Sequence, residues 1–440
     1  MDSQIVFFCG TVVALAIGAF ILWGPSSHRR RKPGYIVGLV NVGNSCFINT
    51  LLQTLASCSH LIDWLSSQKR IPGSLADAVC TTIMVLNGQQ PIEGEYYTPS
   101  IVLKALKLHG WVISAGEQDA HELFHIIISA LKDEVQATSF MGVSISDALG
   151  ESSNDRLFHL RGHAVGFNPA DVDAPEPPKT LGNPETAVCR KIQEHFKSVL
   201  PFQGLLTSQL KCLSCNHKSP LLYDKFDSLS LSLPSLGGFL FKRLTLAHLL
   251  DNYVSTETVK GVECEGCSQD QKCSRAIKST AVKTLAFGKL PKCLCFHIQR
   301  TTWQPNGEAV KRYDHVEFPE FLSMDPYTFS QVYKRKTLCE LGHSAQEGTK
   351  DGINERLSSS HARIRHLYRL VAVIVHTGGV QSGHFITYRR APFREHCWYY
   401  ASDHDVRESS LQEAMQACAY MLFYTKLSNN KSSSGPAVHS

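Results

Sequence analysis

The sequence predicts an α+β fold: a helical first third, then a strand-rich remainder, with an apolar anchor ahead of both. Three observations carry that assignment. Apolar residues recur at three- and four-residue steps from Phe47 to Leu131, the period of helices buried on one face. From Phe202 onward, short runs either alternate, as in Leu229-Ser230-Leu231-Ser232-Leu233, or stay apolar, as in Cys293-Leu294-Cys295-Phe296-His297-Ile298. Helices and strands are also segregated along the chain, which argues against alternating βαβ units. With 440 residues, 43% of them hydrophobic, the chain can fill one large core or two ordinary ones. A net charge of +5 is too mild to point to nucleic acid. Fifteen cysteines is an odd count, and several sit in apolar strand-like runs, so a reducing compartment fits better than a disulfide framework.

The anchor comes first. Ile5 to Trp23 is a run of 19 residues without a charge. As a helix it spans roughly 28 Å, close to the hydrocarbon thickness of a bilayer. A secretory signal peptide carries its positive charge ahead of the apolar run. Here Asp2 precedes it and His28-Arg29-Arg30-Arg31-Lys32 follow. The positive-inside rule keeps that basic cluster, and the domain behind it, in the cytosol. Residues 1–34 therefore read as a single-span signal anchor with a basic flank, and 35–427 as the folded domain. Within that domain, residues 144–190 and 342–362 lose periodicity and gather polar, Pro and Gly residues, the mark of insertions. Residues 428–440 form a polar tail.

The domain opens on Asn41-Val42-Gly43-Asn44-Ser45, a turn in which Gly43 is free to take positive φ. It leads into a helix whose buried stripe is Phe47, Ile48, Leu51, Leu52 and Leu55. With Asn44 or Ser45 as cap, Cys46 falls in the first turn, where unpaired N–H groups and the helix dipole favour a thiolate. Cys46 is thus a nucleophile candidate. A second loop, Gly116 to Ala120, enters a helix carried by Leu123, Phe124, Ile127, Ile128 and Leu131. A nucleophilic cysteine needs a base, usually distant in sequence. His384 has the best setting of the 20 histidines, at the start of a strand after the glycine-rich turn Gly378 to Gly383. A third group would orient the imidazole. Ser402 and Asp403, at the end of the strand Trp398-Tyr399-Tyr400-Ala401, are the candidates, and by chemistry alone Asp403 is preferred.

Two C-x-x-C pairs, Cys212/Cys215 and Cys264/Cys267, sit in turn-like sequence beside strands. Four thiolates on two such knuckles match one tetrahedral, structural zinc, with no position left open for catalysis. The long spacer between the pairs implies long strands or a hairpin connecting them. Cys293, Cys295 and His297 alternate onto one strand face, but no turn accompanies them, so buried core is the better reading.

In this order, the pieces resemble the ubiquitin-specific proteases, a family of cysteine deubiquitinases. Gly38 to Gln53 looks like the family's cysteine box and Glu117 to Phe124 like its Gln-Asp box. The segments around the two C-x-x-C pairs look like its fingers, and Lys311 to Leu322, Tyr368 to Arg390 and Trp398 to Asp405 like its later boxes. The resemblance covers roughly residues 35–426. It implies a papain-like thumb and palm with zinc-ribbon β fingers that grip ubiquitin, and no catalytic cofactor. It implies Cys46 as nucleophile, His384 as base, Asn41 as a donor to the oxyanion, and Gln118, Asp119 and Gly383 as substrate-binding residues. The chain departs from the pattern in two places. Phe385 stands where tyrosine is usual, and Ser402 stands where the triad has Asp or Asn. That serine together with an N-terminal anchor resembles a member on the mitochondrial outer membrane, which implies that location, ubiquitinated membrane proteins as partners, and an activity opposing mitophagy. The same serine leaves two alternatives, a weak or inactive ubiquitin-binding scaffold and a protease for a ubiquitin-like modifier.

Overall fold

A computed structural model describes residues 35–92, 94–111, 118–140, 199–234, 243–270, 278–304, 306–335, 364–380 and 382–427. The expected anchor, both expected insertions and the polar tail lie outside these residues. Among the described residues, no helix is long and apolar enough to cross a membrane.

Five helices come first: α1 (Cys46–Leu55), α2 (Ser59–Ser67), α3 (Leu75–Leu86), α4 (Ser100–Leu108) and α5 (Ala120–Phe140). The stripe anticipated on α1 is buried in full. Ser74 caps α3, its hydroxyl accepting from Asp77 N at 3.1 Å. Glu134 of α5 accepts from Leu75 N at 2.6 Å and Ala76 N at 2.9 Å. A carboxylate from one helix thus takes up the orphan N–H groups and positive dipole end of another.

The strands form two main sheets. The smaller has the order β2 (Leu222–Phe226), β1 (Gly204–Cys212), β5 (Lys278–Lys289), β4 (Glu257–Glu263), all antiparallel. The larger runs β13 (Asp405–Ser409), β12 (Arg394–Ser402), β11 (Gly383–Ala391), β10 (Leu367–Gly378), β14 (Ala419–Lys426), β6 (Cys293–Gln299), β3 (Leu229–Ser232). Its neighbours are antiparallel except β3, which lies parallel to β6. The strands β9 (Phe321–Ser323) on β10, and the hairpin of β7 (Thr301–Trp303) and β8 (Ala309–Lys311), complete the set named here. Two further helices, α6 (Leu246–Tyr253) and α7 (Glu265–Asp270), follow β3 and β4, and α8 (Leu411–Gln416) follows β13. The helical lobe, large sheet and small sheet are the thumb, palm and fingers that the resemblance implies.

The core divides across the palm. On one side α1, α3 and α5 pack around Phe124, Phe202 and Phe423, whose rings meet edge to face. On the other, α6 covers Phe296, Leu370 and Tyr424. Cys293 and Cys295 are buried, as read from the sequence.

The seam between α1 and β11 is polar and periodic. Thr50 donates to Phe385 O at 2.9 Å, Thr54 and Thr387 share a hydroxyl bond at 2.9 Å, and Ser57, just past the helix end, donates to Arg390 O at 3.0 Å. Arg389 is fully buried beside this seam. It donates to Gln53 Oε1 at 2.7 Å, to Ala56 O at 3.1 Å and to Asn87 Oδ1. Burial pulls the guanidinium down to about 9, because no carboxylate accompanies it and its partners are all neutral carbonyls. Replacing Arg389 by Ala should destabilise the fold by about 3 kcal/mol or more, since three buried acceptors lose their donor. Equilibrium denaturation of the two chains checks this; an unchanged midpoint would show that the seam holds without it.

Candidate active site

Cys46 opens α1, half-exposed, after a loop with positive φ at Gly43 (93°) and Asn44 (49°). The expected cap is not made, because Ser45 is occupied elsewhere. Its Oγ accepts from Val42 N at 2.9 Å and meets Asn41 Oδ1 at 3.1 Å, so it folds the loop instead of capping the helix. Asn41 Oδ1 accepts from Gly43 N at 3.0 Å and Ser45 N at 3.1 Å as well.

His384 lies near the start of β11, paired across β10 with Thr377. Its Nε2 is 2.8 Å from Ser402 Oγ at the end of β12. That leaves Nδ1 as the ring's second proton site. Phe385, in place of the usual tyrosine, stacks on His376 at 4.3 Å and 12°.

Asp403 does not reach for His384. It sits at φ 51° and turns its carboxylate to the cysteine loop, accepting from Asn41 Nδ2 at 2.9 Å and Asn49 Nδ2 at 2.8 Å. Chemistry alone preferred Asp403 as the orienter, but its positive φ, just past the end of β12, aims the carboxylate at the loop instead. Asn41 thus carries one Nδ2 hydrogen on Asp403 and one more that the loop bonds leave to the outer side.

Gln118 and Asp119 line a cleft with Lys311, His376, Phe385 and Tyr420. Asp119 Oδ1 accepts from His121 N at 2.6 Å, capping α5, and Oδ2 accepts from Tyr420 OH at 2.5 Å. Burial, then the Asp119 carboxylate, pushes the Tyr420 hydroxyl far up, so it stays a donor. Gly383 has no room for a Cβ, which would strike His376 and Thr377 O. The sequence reading missed the residues that hold this turn. Lys311 Nζ bonds His376 Nδ1 at 3.1 Å and Gly378 O at 2.6 Å, and Tyr313 OH donates to Gly378 O at 2.8 Å. It missed Asn49 and Arg389 too. For Asn49 the available signal was a polar residue on the otherwise apolar face of a helix, and for Arg389 a charged residue in an apolar strand.

The four cysteines converge. Their sulfurs all lie within 4.8 Å of one another, with Cys212–Cys267 at 3.7 Å and Cys215–Cys264 at 3.5 Å. Four thiolates at about 2.3 Å from one tetrahedral zinc are separated by about 3.8 Å, so the cluster fits that ion. Gly266 lets the knuckles approach, since a Cβ there would press on His217 and Cys215 Sγ. Long strands or a hairpin were anticipated between the knuckles; the chain instead passes through β2, β3, α6 and β4. The knuckles end β1 and open α7 after β4, on strands that flank β5, and the chain between them descends into the palm as β3 and α6 before returning.

Helical thumb, antiparallel palm and a cysteine at the head of the central helix define a cysteine hydrolase of the papain-like class. The chain belongs to the family described as ubiquitin carboxyl-terminal hydrolase, whose pattern matches residues 37–424. It is therefore a thiol-dependent hydrolase acting at ubiquitin's carboxyl terminus. It is 36% identical to ubiquitin carboxyl-terminal hydrolase 30 of Xenopus tropicalis, over 96% of this chain and 87% of that one. Against the Homo sapiens protein of that name, identity is 33%, over 95% and 90%. Among solved structures it resembles the SAGA Ubp8/Sgf11/Sus1/Sgf73 DUB module bound to ubiquitin aldehyde (TM-score 0.57, 22% identity, covering 92% of this chain and 71% of that one), a likeness of fold.

Changing Cys212 or Cys264 to Ser should release about one equivalent of zinc and loosen the fingers, since structural zinc contributes folding energy directly. Elemental analysis of purified protein checks it, and active protein free of zinc would overturn the metal assignment.

Proposed function

We propose that this hydrolase removes ubiquitin from proteins of the mitochondrial outer membrane and so opposes ubiquitin-driven mitophagy. The observation that carries the chemistry is the Ser402–His384 bond, which leaves an imidazole face for the thiol at the head of α1. His384 takes the proton from Cys46, and the thiolate attacks the carbonyl of the isopeptide bond at ubiquitin's terminal residue. Asn41 and backbone N–H groups hold the oxyanion, each donor worth on the order of 3 kcal/mol. The lysine amine leaves with a proton from His384, and water then hydrolyses the thioester. Gln118, Asp119 and Gly383 seat the substrate's tail. What supports the location is the charge-free run Ile5 to Trp23 with its basic flank, and a similarity that covers 96% of this chain. Tethering to a surface raises the effective concentration toward substrates on it.

A ubiquitin probe with a C-terminal electrophile should label the wild-type chain at one residue and fail with Cys46→Ala. Failure of the wild-type to label would favour the scaffold reading, and preference for another modifier would replace ubiquitin.

Ser402 and Asp403 separate by what each holds. Ser402→Ala should lower kcat by roughly 10- to 1000-fold, less than the ~10⁴ lost when a serine protease's aspartate is neutralised. A hydroxyl orients the ring without supplying charge. Asp403→Ala should slow turnover through Asn41 and leave the pH profile of Cys46 alkylation unchanged, while Ser402→Ala moves that profile. If only Asp403→Ala moved it, the two roles would be exchanged.

Deleting residues 1–32 should yield an active hydrolase that no longer sediments with membranes. Retention on membranes after the deletion would place the anchor elsewhere.

A further inference from the structure

The first turns of α5 carry a polar cluster that the hydrolytic chemistry leaves unused. His121 Nε2 and His125 Nε2 are 3.1 Å apart, and Ser228 Oγ, just before β3, is 2.8 Å from the first and 3.0 Å from the second. We propose that these three atoms form a second metal site, for a borderline divalent cation such as Zn²⁺, bridging thumb and palm.

The geometry argues for it. An imidazole nitrogen has one in-plane position, either a proton or a lone pair, and so makes one good bond. Here each Nε2 has two partners at bonding distance, and the three atoms form a triangle around one shared point. Metal–imidazole bonds of about 2.05 Å whose nitrogens are 3.1 Å apart enclose an angle of about 98°, between octahedral and tetrahedral. The two histidines stand at i and i+4, hence one above the other on a single helix face. His121-Glu122-Leu123-Phe124-His125 also spells H-E-x-x-H, but a hydrolytic zinc needs a third strong protein ligand. Among the described residues the cluster of three or more His, Cys or carboxylate ligands is the four-cysteine one, so the histidine pair is a holding site.

His297, from β6, stacks on His121 at 4.0 Å and 22°, fixing the ring plane, and its Nδ1 meets Ser230 Oγ at 3.1 Å. Asp227 Oδ2 is bonded to Lys132 at 2.6 Å, so that pair is close to neutral in the local field. His125 is exposed, which gives the ion an approach. Imidazole with a hydroxyl suits Zn²⁺, Ni²⁺ or Cu²⁺ rather than Mg²⁺ or Ca²⁺.

The test uses the full chain with its thiolate zinc in place, titrated with NiCl₂ by calorimetry and with CoCl₂ by absorption. One further equivalent should bind, and the cobalt spectrum should lack the thiolate charge-transfer bands of a four-cysteine site. His125→Ala and His125→Gln should each weaken that equivalent by roughly tenfold or more, with metal-free melting curves showing that both fold. Because His125 lies outside the proposed reacting set, both variants should keep turnover in the presence of a chelator. Absence of the further equivalent, or its survival in both variants, would overturn the site.

Discussion

The hydroxyl seam between α1 and β11 is the constraint on which the site depends. Thr50, Thr54 and Ser57 step along the helix in turns, while their partners Phe385, Thr387 and Arg390 step along the strand. From Thr50 to Thr54 the helix rises about 6 Å and from Phe385 to Thr387 the strand advances about 6.6 Å, so the first two contacts keep step, and the third lies past the helix end where the chain leaves that ruler. Run back one turn from Thr50 and the helix ruler reaches Cys46. Run back from Phe385 and the strand ruler reaches Gly383 and His384. A slip of one residue on β11 would turn His384 to the opposite face of the sheet. Buried hydroxyl pairs resist such a slip more specifically than apolar packing, because each broken pair strands a polar group. Arg389 extends the same registration to Ala56 and Asn87 beyond the helix end.

Charge is distributed unusually for a hydrolytic triad. His384 Nε2 meets the Ser402 hydroxyl, and the carboxylate that follows that serine, Asp403, is engaged by two asparagine amides. A serine protease needs its aspartate because the imidazolium would otherwise form unpaired. A thiolate beside the ring already supplies the negative partner, so a neutral orienter costs a cysteine enzyme less. In the proposed mechanism the carboxylate is then free to stiffen the loop ahead of Cys46, while Ser402 orients the ring.

The sequence was legible where periodicity or spacing carried the information. The stripe of α1, the strands around His384 and Trp398, and the convergence of two C-x-x-C pairs were all readable, because each rests on contacts a few residues apart. Asp403 was misread because positive φ at a non-glycine residue leaves no trace in an alternating pattern. Ser45 was misread because a serine before a helix can cap it or fold the loop behind it, and the choice depends on Asn41. The connection between knuckles failed for a different reason: strand order in the fingers follows pairing across β5, which separation along the chain does not encode. Lys311, at the end of the β7–β8 hairpin, and Tyr313 just beyond it hold the turn before His384 from 67 and 65 residues ahead of Gly378, a distance no local pattern spans.

Asp119 shows how the same contacts set the character of the cleft. Its two oxygens offer about four acceptor positions, and the structure fills one on each with His121 N and Tyr420 OH. Both donors are fixed: one by the helix start, the other by a buried tyrosine held far above its usual ionisation range. The carboxylate is therefore locked in orientation, in a cleft that Lys311 and His376 also line. A pre-oriented acceptor of that kind suits the N–H groups or cationic side chains of an extended peptide, which pays little further ordering cost on arrival. Tyr420 belongs to β14, at the centre of the palm, and Asp119 to the start of α5, so the cleft is built across the thumb–palm boundary.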